Sequence, residues 1–549
     1  MVIILALNVI TVDRQLPWQD EVLVTSTAWS LAQSGEPSLS VLAQYPGSGS
    51  PVRFYGPVSY ETAAALLRMF GLSLAPWRLV CLAGVGLTAA AGTLLVRVAG
   101  GDRASQLLTA LFLTLIGMIS RFLPGRWDYV TMGFFLLGML PILQAIKEVK
   151  RPSLLGMVLG GTCIALALGS SPRSLTLLAA MLASAVVTAF VFHEHWKPLL
   201  VSTVTTSAGA LVVHTAILWP WDLTPFTWYS FVRKTSQGDS GNVTPLLGGQ
   251  TWQLDVVHHK VTLLLVVAFA VLAALGLRAI LRSRQQEETH ASRLFLGIFA
   301  IANLLQMLLL VLNAFSRPEF MLPPYVIAAM CWFHWDSLKV ERSAALTTSF
   351  TGIALLVLLL QYGQLVTATF LSWNRRDPSR LAAFVGGTVP RGSVVYGPVG
   401  GYFYPVEQAG SKYLYTYEET TTGLISEPHA SIGDKLDSEI CTHNSFLIWP
   451  QADKLYFPQP FDMPQAVRDR ILRPAGNLAE PHLSAVEQYI LKRTGPAGNT
   501  YGYPDTVIYR LHSVRACSQN GRSANNAMPH GATSMTATLI DAFDADRTR

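Results

Sequence analysis

Charged side chains are scarce: Asp, Glu, Lys and Arg make up 13% of the 549 residues, against roughly 25% in soluble domains. Runs of basic residues with interleaved aromatics are missing, so nucleic acid is not an expected partner. The net charge of +6 then goes to topology and lipid head groups. Cysteine is too rare, at five residues, for a disulfide scaffold. Cys81, Cys163 and Cys331 read as small buried hydrophobes, while Cys441 and Cys517 could bridge only in an oxidising compartment. The start "MVIILALNVITV" has neither a basic n-region nor a small-residue cleavage site, so a cleavable signal peptide is not expected.

What is abundant is apolar surface. Hydrophobic residues reach 51% and mean hydropathy is +0.36, which predicts an integral membrane protein. Candidate spans cover 1–12, 77–98, 104–119, 129–146, 153–169, 174–192, 198–219, 261–281, 294–313, 319–335 and 344–366, about eleven in all. The first is short for a bilayer crossing, which takes about 20 residues. Small residues recur in "GVGLTAAAGT" and "GMVLGGTCIALALG", a pattern that lets helices approach closely.

With the N-terminus cytoplasmic, every inner connection is short and carries Lys or Arg, most densely at Lys147, Lys150, Arg151, Arg282 and Arg284, as the positive-inside rule requires. The opposite side then holds Asp20, Glu21, Arg53, Arg126, Asp128, Arg173, Asp222, Arg233, Arg317 and Glu319. Charges near a membrane that topology does not require are functional candidates; singly, each also reads as a snorkelling helix end.

Three divisions are expected: a helical membrane domain over 1–370 with a first outer loop at 13–76, an α/β domain over 371–517, and an Asn/Ser/Ala/Thr-rich tail over 518–549 with the composition of disorder. In the second, "GSVVYGPVGGYFYP", "KYLYTYEE", "SFLIWP" and "DTVIYRLHSV" have strand composition. "DPSRLAAFVGG", "MPQAVRDRILRP" and "LSAVEQYILKR" have helical spacing. No nucleophile elbow, P-loop or zinc spacing occurs there, and its tyrosines (Tyr402, Tyr404, Tyr413, Tyr415, Tyr417) read as a packed strand surface more readily than as a glycan contact.

Four short stretches could carry chemistry. "WQDE" places Asp20 and Glu21 at the start of the helical stretch "EVLVTSTAWSLAQSG"; the pair suits a general base or oxygen ligands for a metal, and Asp20 also suits the helix dipole. "VRFYGPVSYE" brings Arg53, Tyr55 and Tyr60 to an amphipathic helix opened by Pro57, a place where an aromatic belt is equally expected. "FLPGRWDYV" sets Arg126 two residues before Asp128 at a span start. "SRPEFMLPPYV" sets Arg317 in a short turn before Pro323 and Pro324. Prolines there are expected to interrupt the helix and open a polar cavity, and a guanidinium suits a phosphate.

Taken in order, these stretches resemble the GT-C membrane glycosyltransferases, in the branch of the protein O-mannosyltransferases and lipid A aminoarabinose transferases. "WQDE" looks like the acid pair opening their first outer loop, and "FYGPVSYE" is similar to their His/Lys-Pro-Pro stretch. "GRWDYVTMGFFLLG" looks like their R-x-D element, and "SRPEFMLPPYV" like their last Arg/Lys-Tyr turn before a Leu-Pro pair. The resemblance covers about residues 1–370. Tyr55-Gly56 stands where the family has its His or Lys, and Glu319 lies where it has tyrosine.

The resemblance implies sugar transfer from a polyprenyl-phosphate donor to a lipid, glycan or protein hydroxyl, on the extracytoplasmic face of a bacterial inner membrane, with inversion at the anomeric carbon. Asp20 would be the general base. Glu21 and Asp128 would orient the acceptor or hold a divalent cation, the one cofactor expected. Arg317, with Arg53 or Arg126, would stabilise the departing phosphate, and Tyr55, Tyr60 and Glu319 would line the substrate site. The alternative from another class is a transporter or flippase for a lipid-linked glycan. Such a protein is expected to carry mid-membrane charge and repeat symmetry, and neither is visible. A non-catalytic assembly protein would leave the acid pair without a role.

Overall fold

A computed structural model of the chain describes residues 2–14, 17, 19–42, 55–119, 127–148, 153–228, 288–310, 318–332, 343–397, 400–415, 445–450, 472–478, 484, 486, 503 and 505–511. The chain divides into two compact units. One contains Met1–Ile10, Arg53–Thr62 and Ala75–Val366; the other contains Thr11–Val52, Ala63–Leu74 and Thr367–Arg549.

The first unit is helical. Its elements are α1 (Val2–Ile10), the start of α3 (Pro57–Phe70), α4 (Leu74–Val98), α5 (Arg103–Ile119), α6 (Asp128–Glu148), α7 (Leu154–Ser170), α8 (Ser174–Val191), α9 (Trp196–Leu218), α10 (Glu288–Leu310), α11 (Pro318–Trp332) and most of α12 (Ser343–Leu371). Here α2 (Gln19–Ser34) is reserved for a helix of the second unit. Among the described residues, five helical segments are long and apolar enough to cross a bilayer: Leu74–Val98, Asp128–Glu148, Ser174–Val191, His193–Trp221 and Thr351–Leu371. Four more apolar segments are shorter: Arg103–Ile119, Leu154–Ser170, Ala291–Asn303 and Leu322–Cys331. The protein is therefore an integral, polytopic helical membrane protein. Ten of the eleven expected spans have helices among the described residues; the one expected at 261–281 lies outside them.

With nine residues, α1 spans about 13 Å at about 1.5 Å per residue, under half a hydrocarbon core. Asn8 ties it to α12: its Nδ2 donates to the Tyr362 hydroxyl at 2.8 Å and to the Ile4 carbonyl at 2.8 Å. The Tyr362 hydroxyl donates in turn to the same carbonyl at 3.0 Å. Polar side chains inside an apolar bundle hold their geometry because no water competes for them.

One core runs through the unit, built from Phe112, Phe135, Leu136, Met139, Leu177, Met181, Phe295 and Phe299 among others. Small residues let the backbones meet, as "GMVLGGT" predicts: a Cβ on Gly138 would come within 2.8 Å of the Gly160 carbonyl oxygen, and one on Gly161 within 3.0 Å of that of Thr206. Arg293, buried, caps the end of α4, its Nε donating to the Ala99 carbonyl at 3.2 Å.

The prolines of α11 correct one expectation. The helix runs through Pro323 and Pro324 unbroken. Pro324 cannot donate to the carbonyl of Phe320 four residues earlier. Asn303 of α10 donates to that carbonyl instead, at 2.8 Å, so the freed acceptor is satisfied by a neighbouring helix.

The second unit is built on a five-stranded sheet of order β2-β1-β3-β5-β4. Its strands are β1 (Val394–Gly397), β2 (Lys412–Tyr415), β3 (Ser445–Pro450), β4 (Leu472–Leu478) and β5 (Thr506–Leu511). β1 is parallel to both β2 and β3, while β5 is antiparallel to β3 and β4. Two sequence expectations change here. The run at 392–405, expected as one strand, ends at Gly397 and supplies the short helix α14 (Phe403–Gln408); the expected helix at 463–474 has its last residues in β4. β4 carries Pro474 and a register shift between Pro474 and Gly476. It lies at the sheet edge, where a missing N–H is tolerated. Helix α13 (Pro378–Thr388) is capped by Asp377, whose side chain accepts from the Ser379 amide at 3.0 Å.

The same unit holds α2, which ends at Gly35 with φ +80, where a left-handed residue is needed. Arg14 pairs with Asp377 at 2.9 Å and lies over the Trp373 ring at 4.7 Å. The Arg376 Nη1 donates to the Arg14 carbonyl at 3.1 Å. From the second half of α3, Arg68 donates through Nη2 to the Leu31 carbonyl at 2.9 Å, and Gln408 reaches the Leu72 carbonyl at 2.8 Å. Residues from three separated chain segments thus make one packed body.

Candidate active site

In the helical unit the sequence candidates converge on Asp128. It is the first residue of α6 and fully buried. A carboxylate at a helix N-terminus is favoured by the dipole, but burial also demands hydrogen-bond or ionic partners. Two come from distant parts of the chain. The Tyr55 hydroxyl donates to Asp128 Oδ2 at 3.2 Å, and Arg173 brings Nη1 to 3.9 Å from Oδ1.

Tyr55 is placed by the backbone around Gly56. The Gly56 amide donates to the Ser170 carbonyl at 2.8 Å, at the end of α7. No side chain fits at this crossing, because a Cβ on Gly56 would lie 1.8 Å from the Gly169 carbonyl oxygen and 3.0 Å from the Trp228 ring. The Ser59 hydroxyl closes the turn by donating to the Gly56 carbonyl at 2.7 Å. Tyr60, also buried, accepts from the Tyr55 amide through its hydroxyl at 3.4 Å and stacks on Trp221 with ring centroids 5.7 Å apart. Burial pushes the Tyr60 phenol well above its usual range, so it remains protonated at neutral pH.

Arg173 sits in the turn between α7 and α8. The Ser174 hydroxyl holds that turn, donating to the Ala167 carbonyl at 3.0 Å, and the Thr176 hydroxyl donates to the Arg173 carbonyl at 2.7 Å. On the other flank, Trp127 stacks on Trp77 with centroids 4.9 Å apart and rings within 10° of parallel. The Thr88 hydroxyl donates to the Tyr129 carbonyl at 2.6 Å. The result is a buried carboxylate clamped by a phenol and faced by a guanidinium that keeps 14% of its side chain exposed. Such an arrangement can orient a hydroxyl-bearing ligand.

Of the residues expected from sequence, Tyr55, Tyr60 and Asp128 come together. Glu21 lies on α2 in the second unit and is buried, at 2% exposure; its carbonyl accepts from the Thr25 hydroxyl at 2.6 Å. Asp20 is the second residue of the same helix and Glu319 the second of α11, and their side chains lie outside the described set. Arg53, Arg126 and Arg317 lie outside the described residues, as do Cys441, Cys517 and the tail at 518–549. Tyr402, Tyr404 and Tyr413 are buried, as a packed surface predicts.

One cation, Arg173, was absent from the expected site, and a second, Arg78, was not expected to be buried. Arg173 was visible only as one outer charge among many; the "SSPRS" turn gives no sign of the carboxylate 45 positions earlier. Arg78, beside Trp77 in α4, is fully buried, and its place at the edge of an apolar run was the only available signal.

The described partners of Asp128 are the Tyr55 phenol and the Arg173 guanidinium, and among the described residues no group of three or more His, Cys, Asp or Glu could hold a metal.

No family model matches the sequence, and no curated protein matches it. The fold has solved counterparts. ArnT from Cupriavidus metallidurans in the apo state superposes with a TM-score of 0.55 at 13% identity, over 93% of this chain and 96% of that one. ArnT from the same organism bound to undecaprenyl phosphate superposes with a TM-score of 0.53 at 12% identity, over the same shares of the two chains. An oligosaccharyltransferase from Archaeoglobus fulgidus, in complex with Zn and sulfate, gives 0.49 at 13% identity, over 88% of this chain and 72% of that one. The chain therefore shares the fold of the two ArnT structures over most of its length.

Proposed function

We propose that the protein is a membrane glycosyltransferase that moves a sugar from a polyprenyl-phosphate donor to a hydroxyl of a lipid, glycan or protein acceptor. The observation that carries the reading is the buried Asp128, held by Tyr55 and Arg173, in a chain that shares nearly its whole length with the fold of a protein crystallised with undecaprenyl phosphate. The basic, short loops predicted for one side support a reaction on the opposite, extracytoplasmic face, and the proposal takes the membrane to be a bacterial inner membrane.

In this mechanism the acceptor hydroxyl gives its proton to Asp20 as its oxygen attacks the anomeric carbon. The bond from that carbon to the phosphate oxygen breaks, the electron pair leaves with the polyprenyl phosphate, and the configuration inverts. Glu21 and Asp128 orient the acceptor. Arg317, with Arg53 or Arg126, meets the negative charge growing on the leaving phosphate, the electrostatic part of catalysis. Arg173 supplies positive charge beside Asp128.

The test is a fluorescent polyprenyl-phosphate sugar incubated with membranes containing wild-type protein or Asp20→Asn. A covalent product from wild type, reduced about 10²–10⁴-fold in the variant, is expected. Undiminished transfer by Asp20→Asn removes that residue from the base role. Translocation of the lipid without any covalent product would replace the enzyme by a flippase.

A further inference from the structure

Within the second unit, the acid-bearing helix α2 is tied to α14 by a buried hydroxyl relay. Tyr404, the second residue of α14, is 1% exposed. Its phenol donates to Thr25 Oγ1. Thr25, itself 1% exposed, donates through that hydroxyl to the Glu21 carbonyl at 2.6 Å. A threonine back-bond of this kind is common within helices. The added donor is not: it arrives from a residue 379 positions away. Ser26 and Thr27 on the next positions are also fully buried, with their hydroxyls turned to the Leu23 carbonyl, so α2 presents its Thr25 side to protein rather than to solvent.

The position of Tyr404 is itself fixed. Beside it, Tyr402 shares a hydrogen bond with the Thr506 hydroxyl of β5 at 3.1 Å, and Tyr503 donates through its hydroxyl to the Gly401 carbonyl at 3.1 Å. The ring of Phe403 meets that of Tyr404 edge-on, 5.0 Å between centroids. At the other end of α14, Glu407 accepts from the Tyr413 amide of β2 at 2.9 Å. A short helix clamped to the sheet at both ends thus holds the backbone that carries Glu21.

We propose that Tyr404 is a positioning residue for the acid pair: through Thr25 it fixes the first turn of α2, and so the direction in which the carboxylates of that turn are presented. The proposal rests on the glycosyltransferase reading, in which Asp20 takes the acceptor proton. A shift of even an ångström in a catalytic carboxylate is enough to slow a reaction. The strands and α14 then have a catalytic role without contributing a reacting group.

The experiment compares Tyr404→Phe, Thr25→Val, the double variant and Tyr402→Phe in the full chain. Tyr404→Phe keeps the ring and removes only the donor. It should lower kcat by about three- to tenfold, leave KM for the polyprenyl-phosphate sugar unchanged, and move the acidic limb of the kcat–pH profile. Thr25→Val should do the same, and the double variant should lose no more than either alone. Tyr402→Phe removes an equally buried hydroxyl that steadies Tyr404 without belonging to the relay; it should lower kcat by less than Tyr404→Phe does and leave the pH profile in place. Hydrogen exchange of the α2 amides should accelerate in Tyr404→Phe. An unmoved kcat–pH profile in Tyr404→Phe, additive losses in the double variant, or unchanged exchange in α2 would each overturn the positioning role. Absence of transfer by wild type would instead remove the glycosyltransferase reading, an outcome read before any variant is compared.

Discussion

The hydroxyl of Tyr55 donates to Oδ2 of Asp128 across 3.2 Å, joining two residues 73 positions apart in a fully buried contact. With Arg173 at 3.9 Å from the other oxygen, the carboxylate has a donor on one side and a cation on the other. Tyr55→Phe should therefore reduce sugar transfer by about tenfold, the size of a lost hydrogen bond to a charged group. Arg173→Gln should also destabilise the protein. The effect should stay below the 3–5 kcal/mol of a tightly buried pair, because the ions are at the limit of contact and the guanidinium is partly exposed. Thermal unfolding in detergent reads this, and Arg173→Gln combined with Asp128→Asn should be less unstable than the sum of the two. Additive losses would show that the pair is not coupled.

The crossing at Gly56 makes a sharper prediction. A methyl group there overlaps the Gly169 carbonyl at 1.8 Å, so Gly56→Ala must push α3 and α7 apart and should cost several kcal/mol. Gly86, within α4, has nothing within 4 Å of a built Cβ. Gly86→Ala should be neutral or stabilising by roughly 0.5–1 kcal/mol. Yields of folded protein and melting temperature in detergent separate the two; equal behaviour would mean that the α3–α7 crossing is looser than the geometry implies.

Glu407 gives a pH dependence. Burial raises its carboxyl from 4.5 to about 7, against the smaller lowering effects of the Tyr413 amide and Lys412. The folded state keeps the proton where the unfolded state has lost it. The cost of ionising in place is therefore absent below about pH 4.5, grows through the interval, and is complete above about pH 7. It amounts to at most about 3 kcal/mol. Glu407→Gln keeps an acceptor for the Tyr413 amide and removes the charge. Its stability advantage over wild type should appear between pH 5 and 8 and be nil at the acid end, measured by hydrogen exchange in the sheet unit. A constant difference across that range would remove the titration from the account.

Much of this architecture is local and so was readable in the sequence. The span expected at 129–146 is α6 at 128–148, and "SFLIWP" is β3 without adjustment, because periodicity and strand composition act over a few residues. β4 escaped because Pro474 and Gly476 argue against a strand unless it is known to be an edge, and edges are defined by neighbours far away in the chain. The site divides the same way. Asp128 and Tyr55 stood out as charges and aromatics at span ends, but that they touch, and that Arg173 faces them, depends on how α3, α6 and α7 cross. Charge at the membrane boundary was the usable signal, and pairing was not in it. Arg78 shows the limit, since an arginine at the start of an apolar run reads as a snorkelling end yet is fully buried.

The membership of residues 11–52 and 63–74 in the unit completed by residues 367–549 sets a schedule for biosynthesis. Helix α2 is made early, but the tyrosine that fastens it leaves the ribosome nearly four hundred residues later. At about 5–20 residues per second this is a wait on the order of half a minute, during which the Thr25 hydroxyl has no phenol to meet. A nascent chain stalled within the helical bundle would carry its acid helix unsecured, a state in which proteases and chaperones would find α2 before its partner does.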